Sequence, residues 1–184
     1  AMSEAATEDY PTTQIDNGKT GKCVKLETRL TGDLGNMVGM PIAAGNLFIG
    51  SFDMLNAITN PLSATRFGTP FYNKPLRLTG YYKYKAGEQF YENGEYTSRK
   101  DIFNIYAIFY DGVKYDSAGK GTDVTLDGNL PNQNYEHSSM VALALVSNPQ
   151  ETEGDEWKFF DIPFDYQRYG KKIDEPDWLK ENIE

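Results

Sequence analysis

The segment from Pro75 to Gly87, PLRLTGYYKYKAG, limits the fold most strongly, because its side chains alternate in character along its whole length. One side of an extended chain would carry its apolar, small and ring side chains: Leu76, Leu78, Gly80, Tyr82 and Tyr84. The opposite side would carry a polar row: Arg77, Thr79, Tyr81, Lys83 and Lys85. A period of two with aromatic residues is typical of a half-buried β-strand. The segment therefore predicts a strand with a polar outer face that also contains a ring.

Further segments share this strand character, with apolar residues in alternation or in short runs. They are Cys23–Arg29, Ile42–Phe52, Asp101–Asp111, Val141–Ser147 and Trp157–Tyr166. The Asp101–Asp111 segment is apolar on both sides, which predicts a strand inside a sheet. Helical periodicity is weak except in Asp174–Glu184, which predicts a short helix. Strands joined by long polar turns predict an all-β fold, an antiparallel β-sandwich of jelly-roll type.

Composition and charge exclude several classes of function. The net charge of −9 disfavours nucleic acid and anionic membrane surfaces as partners, because binding phosphates requires clustered cations. No apolar run approaches the roughly 18 residues that a membrane-spanning helix needs. Cys23 is the only cysteine, so an intramolecular disulfide is excluded, and no signal peptide is recognisable.

The length of 184 residues favours one domain, with polar ends. Residues 1–20 are predicted to be a polar N-terminal arm or residues left over from cloning. The irregular lead-in to the first strand extends to residue 21. Residues 21–170 would form the β-sandwich, and residues 171–184 a charged C-terminal tail.

The polar row next to the predicted neighbouring strand is the first candidate site. Arg77 and Tyr81 would face Asn104 and Tyr106 if Asp101–Asp111 lay beside the first strand, and Trp157 with Asp161 would join them if the last strand were adjacent. Rings stack on the C–H face of a sugar, while Arg, Asn and Lys donate hydrogen bonds to its hydroxyl groups. The competing interpretation is an ordinary outer sheet face with cross-strand pairs.

A structural calcium ion is a second hypothesis, although no cofactor is required by the sequence. Asp16 and Asn17 supply the oxygen atoms that calcium prefers. Asx-Gly pairs are also common turn residues, so a simple turn is the alternative interpretation. A zinc site is not possible with Cys23 and His137 alone.

Catalysis has weaker support in the sequence. A glycoside hydrolase needs two carboxyl groups about 5 to 10 Å apart, and Asp161 with Asp165 or Glu27 with Asp161 would be conceivable pairs without a supporting motif. His137, the only histidine, lies in a long polar stretch and is interpreted as an exposed structural residue.

Seven segments, in this order, resemble the putative carbohydrate metabolism domain of Bacteroidetes surface and secreted proteins. They are GKCVKLETR, IAAGNLFIGSF, GTPF with KPLRLTGYYKYKAGE, DIFNIYAIFYD, LDGNL, VALALV and WKFFDIPFDY. The resemblance implies a jelly roll related to galactose-binding-like domains, preceded by an immunoglobulin-like domain in an exported protein. It implies glycan binding and supplies no catalytic residues. The chain departs from the family near its end, where DEPDWLKENIE replaces further strands.

These observations predict a non-catalytic carbohydrate-binding module that takes a polysaccharide or oligosaccharide. Its expected location is extracellular, at the cell surface or in the periplasm, as part of a glycan-utilisation protein. The alternatives are a glycoside hydrolase using an Asp/Glu pair, and a structural adhesin or assembly module with an exposed apolar patch and no small ligand.

Overall fold

The structure, a computed structural model, describes residues 10–37, 39–57, 59–92 and 94–170. The helix predicted at Asp174–Glu184 and the predicted tail lie outside these residues. In chain order the elements are β1 (Thr12–Gly18), β2 (Gly21–Leu26), β3 (Arg29–Leu30), α1 (Gly32–Met37), β4 (Ile42–Ala43), β5 (Gly50–Phe52), α2 (Pro61–Ala64), β6 (Thr65–Phe67), β7 (Arg77–Tyr82), β8 (Phe90–Glu92), β9 (Glu95–Thr97), β10 (Tyr106–Tyr110), β11 (Val113–Tyr115), β12 (Gly121–Asp123), β13 (Leu126–Asp127), β14 (Met140–Leu145) and β15 (Lys158–Pro163).

Strands dominate the described part of the chain, and their pairings are antiparallel. The predicted fold class, an all-β antiparallel sandwich, is confirmed by this arrangement and by the solved structures compared below. The described residues fall into two compact units. Unit 1 contains the residues up to Thr69 together with Thr125–Pro131, and unit 2 contains Pro70–Val124 together with the residues from Asn132 onwards. The domain limits at 20/21 and 170/171 stay a prediction.

Unit 1 begins with a hairpin that the sequence analysis missed. The predicted N-terminal lead-in is wrong over residues 12–18, because β1 pairs with β2 in a register that places Ile15 opposite Cys23. The turn signals at Asp16–Gly18 suggested a loop, but they lie at the hairpin end, where the register shifts in a bulge between Ile15 and Gly18. A bulge accommodates turn-forming residues within a strand.

The rest of unit 1 consists of short strands. The single strand predicted at Ile42–Phe52 is wrong, since β4 pairs with β3 whereas β5 pairs with β6. β13 completes a three-stranded sheet in the order β13-β6-β5. Helix α2 begins where the Asn60 side chain accepts a hydrogen bond from the Ser63 N–H, with Pro61 in its first turn, as expected of an N-cap. Between β3 and β4 lies the short helix α1, in a glycine-containing segment.

Unit 2 contains the most buried strand. β14 is buried along almost its whole length, and Met140, Ala142 and Ala144 have no exposed surface. β14 pairs with β10, while β15 pairs with β7. A bridge between Leu143 and Asp165 connects β14 to the chain just after β15. The strand predicted at Asp101–Asp111 therefore begins only at residue 106, and its predicted position beside β7 is wrong.

Two small hairpins occupy stretches where the sequence predicts no strand. β8 pairs with β9, and Gly94 in the turn has a φ of +89°, a conformation in which glycine has no steric penalty. β11 pairs with β12 in the long polar stretch after residue 112. Each of these strands is three residues long, too short for an alternation of apolar and polar residues to identify it.

Candidate functional site

An exposed surface of unit 2 unites most of the predicted sugar-binding residues. Thr79 lies opposite Asp161, and Tyr81 lies opposite Phe159, in the pairing of β7 with β15. Lys83 follows β7, and Trp157 precedes β15. We refer to this surface as the aromatic face. Its members are Arg77, Thr79, Tyr81, Lys83, Asp155, Trp157, Phe159 and Asp161.

The alternation of β7 and β15 fixes which side chains reach this surface. Leu78 is half-buried and Tyr82 is buried, whereas the intervening Tyr81 is exposed. Gly80 leaves room on the inner side for the Phe160 ring, because an added Cβ would lie 2.6 Å from the Phe160 Cζ. The inner side is therefore closed by packing, and the polar row predicted from PLRLTGYYKYKAG does face outward.

The centre of the aromatic face is a pair of rings. The centroids of Tyr81 and Phe159 are 5.1 Å apart at an interplanar angle of 47°. Their residues are 47% and 53% exposed. Such a ring pair contributes about 0.5 to 1.5 kcal/mol beyond its buried area. The pair holds two rings in place while it leaves about half of their surface to solvent.

Each cation of the aromatic face has an anionic partner. The Arg77 Nε donates to the Asp161 carboxylate at 2.5 Å, and this hydrogen bond raises the pKa of Arg77. The Lys83 Nζ lies 3.1 Å from the Asp155 carboxylate and 5.0 Å from the centroid of the Trp157 ring. A cation–π contact therefore joins Lys83 to Trp157, which precedes Phe159 by two residues.

Asn104 and Tyr106 do not belong to the aromatic face. Tyr106 lies in β10, which pairs with β14 rather than β7. Its ring packs edge-to-face on the buried Tyr135 ring at 5.1 Å, and burial raises the pKa of Tyr106 to about 12. Asn104 is exposed and precedes this strand. An alternating pattern gives the side of a strand but not its neighbour, which explains the error.

The raised pKa of Tyr106 predicts a loss of stability in alkali. The native state retains this proton up to pH about 12, whereas the unfolded state releases it near pH 10, so the free energy of unfolding decreases across this window. In Tyr106→Phe, we expect the free energy of unfolding to decrease less across this window, by on the order of 2 kcal/mol. Urea unfolding of both proteins between pH 8 and pH 11.5 measures this difference. Parallel curves for the two proteins would contradict the assignment.

The carboxyl pairs considered for hydrolysis are engaged in other interactions. Asp161 pairs with Arg77, and the Asp165 carboxylate accepts backbone hydrogen bonds from Gln167 and Arg168. Glu27 belongs to unit 1, where hydrogen bonds from Lys25 and then Arg29 lower its pKa. The pKa of a general acid is raised instead. These contacts therefore give no support to either predicted catalytic pair.

The residues considered for metal binding and for nucleophilic catalysis have ordinary surroundings. The Asp16 carboxylate lies 4.0 Å from the Lys22 Nζ, and Asn17 is beside it in β1. Among the described residues, no three His, Cys, Asp or Glu side chains cluster to hold a metal ion. Calcium at Asp16 and Asn17 stays a prediction, because amide and carbonyl oxygens also serve as its ligands. The His137 Nδ1 accepts a hydrogen bond from the Ser139 N–H.

Each unit also contains an open cleft. The cleft in unit 1 has a volume of about 690 Å³ and is lined by Pro11, Arg29, Leu30, Thr31, Gly32 and Ala43. The cleft in unit 2 has a volume of about 450 Å³ and is lined by Glu136, His137, Ser138, Met140, Arg168 and Tyr169. Neither of these two clefts is lined by a residue of the aromatic face, whose central rings are about half exposed.

Two members of the aromatic face were not among the predicted site residues. The sequence did place Phe159 on the same side as Trp157 and Asp161, but no motif distinguished it from a packing residue. Asp155 lies in an acidic turn, and nothing in its sequence surroundings indicates a partner for Lys83.

No helix in the described ranges has the length and apolar character needed to cross a membrane.

Comparison with known proteins places these features in a family. The family model described as "Putative carbohydrate metabolism domain" matches residues 1–183. A crystal structure of a putative glycoside hydrolase from Bacteroides vulgatus ATCC 8482 is 54% identical, with a TM-score of 0.80 over 91% of this chain and 62% of that one. Another, from Bacteroides thetaiotaomicron VPI-5482, is 49% identical, with a TM-score of 0.78 over 92% of this chain and 46% of that one. No curated protein matches significantly.

The family match spans nearly the whole chain, and the two solved structures share its fold at high identity. The chain spans about two-thirds of one of these proteins and about half of the other. The resemblance inferred from the seven segments is therefore confirmed, and the role of the chain is related to carbohydrate. This chain belongs to the putative carbohydrate metabolism domain family.

Proposed function

We propose that this protein is a non-catalytic carbohydrate-binding module that holds a glycan on the aromatic face. The observation that carries the proposal is the exposed Tyr81–Phe159 ring pair with an ion pair on each side. Exposed aromatic rings beside hydrogen-bonding groups are typical of binding surfaces rather than of an ordinary solvated sheet. The family membership supports carbohydrate as the ligand class.

The mechanism combines stacking with hydrogen bonding. The exposed parts of the Tyr81 and Phe159 rings offer apolar surface to the C–H face of a sugar ring. Arg77 and Thr79 lie along the same strand and offer donors to hydroxyl groups, while the Asp161 carboxylate offers acceptors. The rings and ions are already held by contacts within the protein, which reduces the conformational entropy lost on binding.

The test is glycan binding by a ring-deleted variant. We expect Tyr81→Ala to weaken binding at least about tenfold, equivalent to about 1.4 kcal/mol, because stacking surface at the centre of the site is removed. Calorimetric titration with the polysaccharides that bind the unmodified protein in a screen would measure this loss.

Tyr115→Ala is the matched control, since Tyr115 is also an exposed tyrosine on a strand of unit 2 but lies outside the aromatic face. Its affinity should be unchanged. Binding that is equally weak in both variants, or undiminished in Tyr81→Ala, would refute the assignment of the site. A screen with no bound glycan would refute the function itself.

Glycoside hydrolysis is the second candidate, because both solved relatives carry the name putative glycoside hydrolase. It requires a general acid with a raised pKa, whereas Asp161 is paired with Arg77 and the pKa of Glu27 is lowered. The discriminating assay is release of reducing ends from the bound polysaccharide. Release that Asp161→Asn abolishes without loss of binding would establish catalysis instead.

The assembly alternative is supported by unit 1, which exposes large apolar side chains between residues 47 and 55: Leu47, Ile49, Phe52, Met54 and Leu55. Light scattering over a concentration series, with and without glycan, distinguishes it. A glycan-independent oligomer with no glycan affinity would favour assembly over binding.

We further propose export of the complete protein to the cell surface or the periplasm, with an immunoglobulin-like domain upstream of this one. Fractionation of the native host with antibodies against this domain tests the location.

Calcium at Asp16 and Asn17 is proposed as structural. A rise in the unfolding temperature on adding calcium, absent in Asp16→Ala, is the expected result.

A further inference from the structure

The aromatic face is elongated along the direction of its strands. Its members on the first strand extend from Arg77 to Lys83, and the facing members extend from Asp161 back to Trp157. At a strand rise of about 3.3 Å per residue, six steps correspond to roughly 20 Å. Groups that could contact a ligand recur along this distance: an ion pair, then the ring pair, then the Lys83–Trp157 pair. The surface is therefore several sugar rings long.

The ring pair at the centre of the face is open to solvent. Tyr81 and Phe159 are about half exposed, and the neighbouring Thr79 and Asp161 are exposed as well. A pocket that encloses a single sugar would bury its rings more deeply. An exposed strip of this kind can accept the interior of a polysaccharide chain rather than only its end.

Within the aromatic face, the charges of the two cations are balanced by two carboxylates. Arg77 is compensated by Asp161, and Lys83 is compensated by Asp155. A carboxylated or sulfated glycan would have to compete with these internal anions for the cations. It would also approach a protein of net charge −9, and such repulsion slows the association of an anion.

We propose that the ligand is an uncharged, linear stretch of polysaccharide several sugars long, bound along β7 and β15. This inference rests on the proposed function and adds the class and length of the ligand. Affinity then accumulates over the successive contacts of one strip. Because no net charge is exchanged, salt has little effect on binding.

The experiment uses the complete 184-residue chain and a panel of immobilised polysaccharides. The neutral members are starch, xyloglucan and galactomannan, and the anionic members are polygalacturonate, chondroitin sulfate and heparin. We expect retention by at least one neutral member and none of the anionic ones, with less than a twofold change in affinity between 50 and 500 mM NaCl. Equal or tighter binding to an anionic member would overturn the inference. Retention by no member would overturn the proposed function as well, so the two failures are distinguishable.

Oligosaccharides prepared from the retained polymer then test the length. We expect the affinity to rise at least tenfold from the monosaccharide to the hexasaccharide, and Trp157→Ala to reduce the gain from the longer oligomers more than it reduces binding of the shortest one. Tyr115→Ala serves as the matched ring-deletion control. A monosaccharide that binds as tightly as the hexasaccharide would contradict an elongated site while leaving carbohydrate binding intact.

Discussion

Gly45→Ala is expected to destabilise unit 1 by about 3 kcal/mol, because the added methyl group would collide with backbone atoms. Its Cβ would lie 2.3 Å from the Pro11 carbonyl oxygen, 2.6 Å from the Glu27 nitrogen and 2.9 Å from the Leu26 Cα. The Gly45 N–H also donates to the Glu27 carbonyl at 2.8 Å. Backbone atoms cannot rotate away as a flexible side chain can, so unit 1 would have to shift or lose this contact.

Hydrogen exchange followed by mass spectrometry resolves this effect by unit. Peptides from β1 and β2 should lose protection in Gly45→Ala, while peptides from β14 keep theirs. Gly112→Ala is the matched control, since a Cβ at Gly112 would meet no atom within 4 Å. Unchanged protection of β1 and β2 in Gly45→Ala would show that the close approach is not required.

Met140→Ala is expected to cost unit 2 about 2 to 5 kcal/mol, the range for truncating a large buried side chain. Met140 has no exposed surface and begins β14, the most buried strand. The loss combines the transfer of its methylene and thioether groups with the cavity left behind. For a chain of this size, each kcal/mol lowers the melting temperature by about 2 to 4 °C.

Thermal unfolding monitored by far-UV circular dichroism measures this loss, because the signal reports the strands of both units. Met54→Ala makes the same chemical change at a residue that is 74% exposed, so its melting temperature should stay within about 1 °C of the unmodified protein. A similar loss in both variants would mean that the burial of Met140 is not what stabilises the strand.

The strand at the centre of the candidate site was the part of the fold that its sequence specified best. The strict alternation around Tyr81 predicts which side of the strand is buried, and the structure confirms it. Alternation does not record which strand lies next to it, because partner choice depends on contacts far apart in sequence. The sequence therefore predicts Trp157 and Asp161 near Tyr81 only on the condition that the last strand is adjacent, and the structure meets that condition. The predicted position of Tyr106 beside them is wrong, because β10 pairs with β14.

The short strands were harder to predict for a related reason. β1 carries turn-forming residues inside a bulge, and β11 is only three residues long, so neither shows the period on which strand prediction depends. Gly45 is a partial exception, because a glycine inside an apolar segment signals either a bulge or a close backbone approach. The structure shows the close approach, an outcome that depends on Pro11 and Glu27 and could not be derived from the local sequence.

The connectivity of unit 1 has a consequence for synthesis on the ribosome. Its three-stranded sheet needs β13, where Leu126 pairs with Phe67 about 60 residues earlier in the chain. Domains of multidomain chains commonly fold as they emerge, N-terminal part first. Here the edge of β6 stays unpaired with β13 until the intervening part of unit 2 has been synthesised. A chaperone could bind this open edge. Without one, two neighbouring nascent chains could pair wrongly through it.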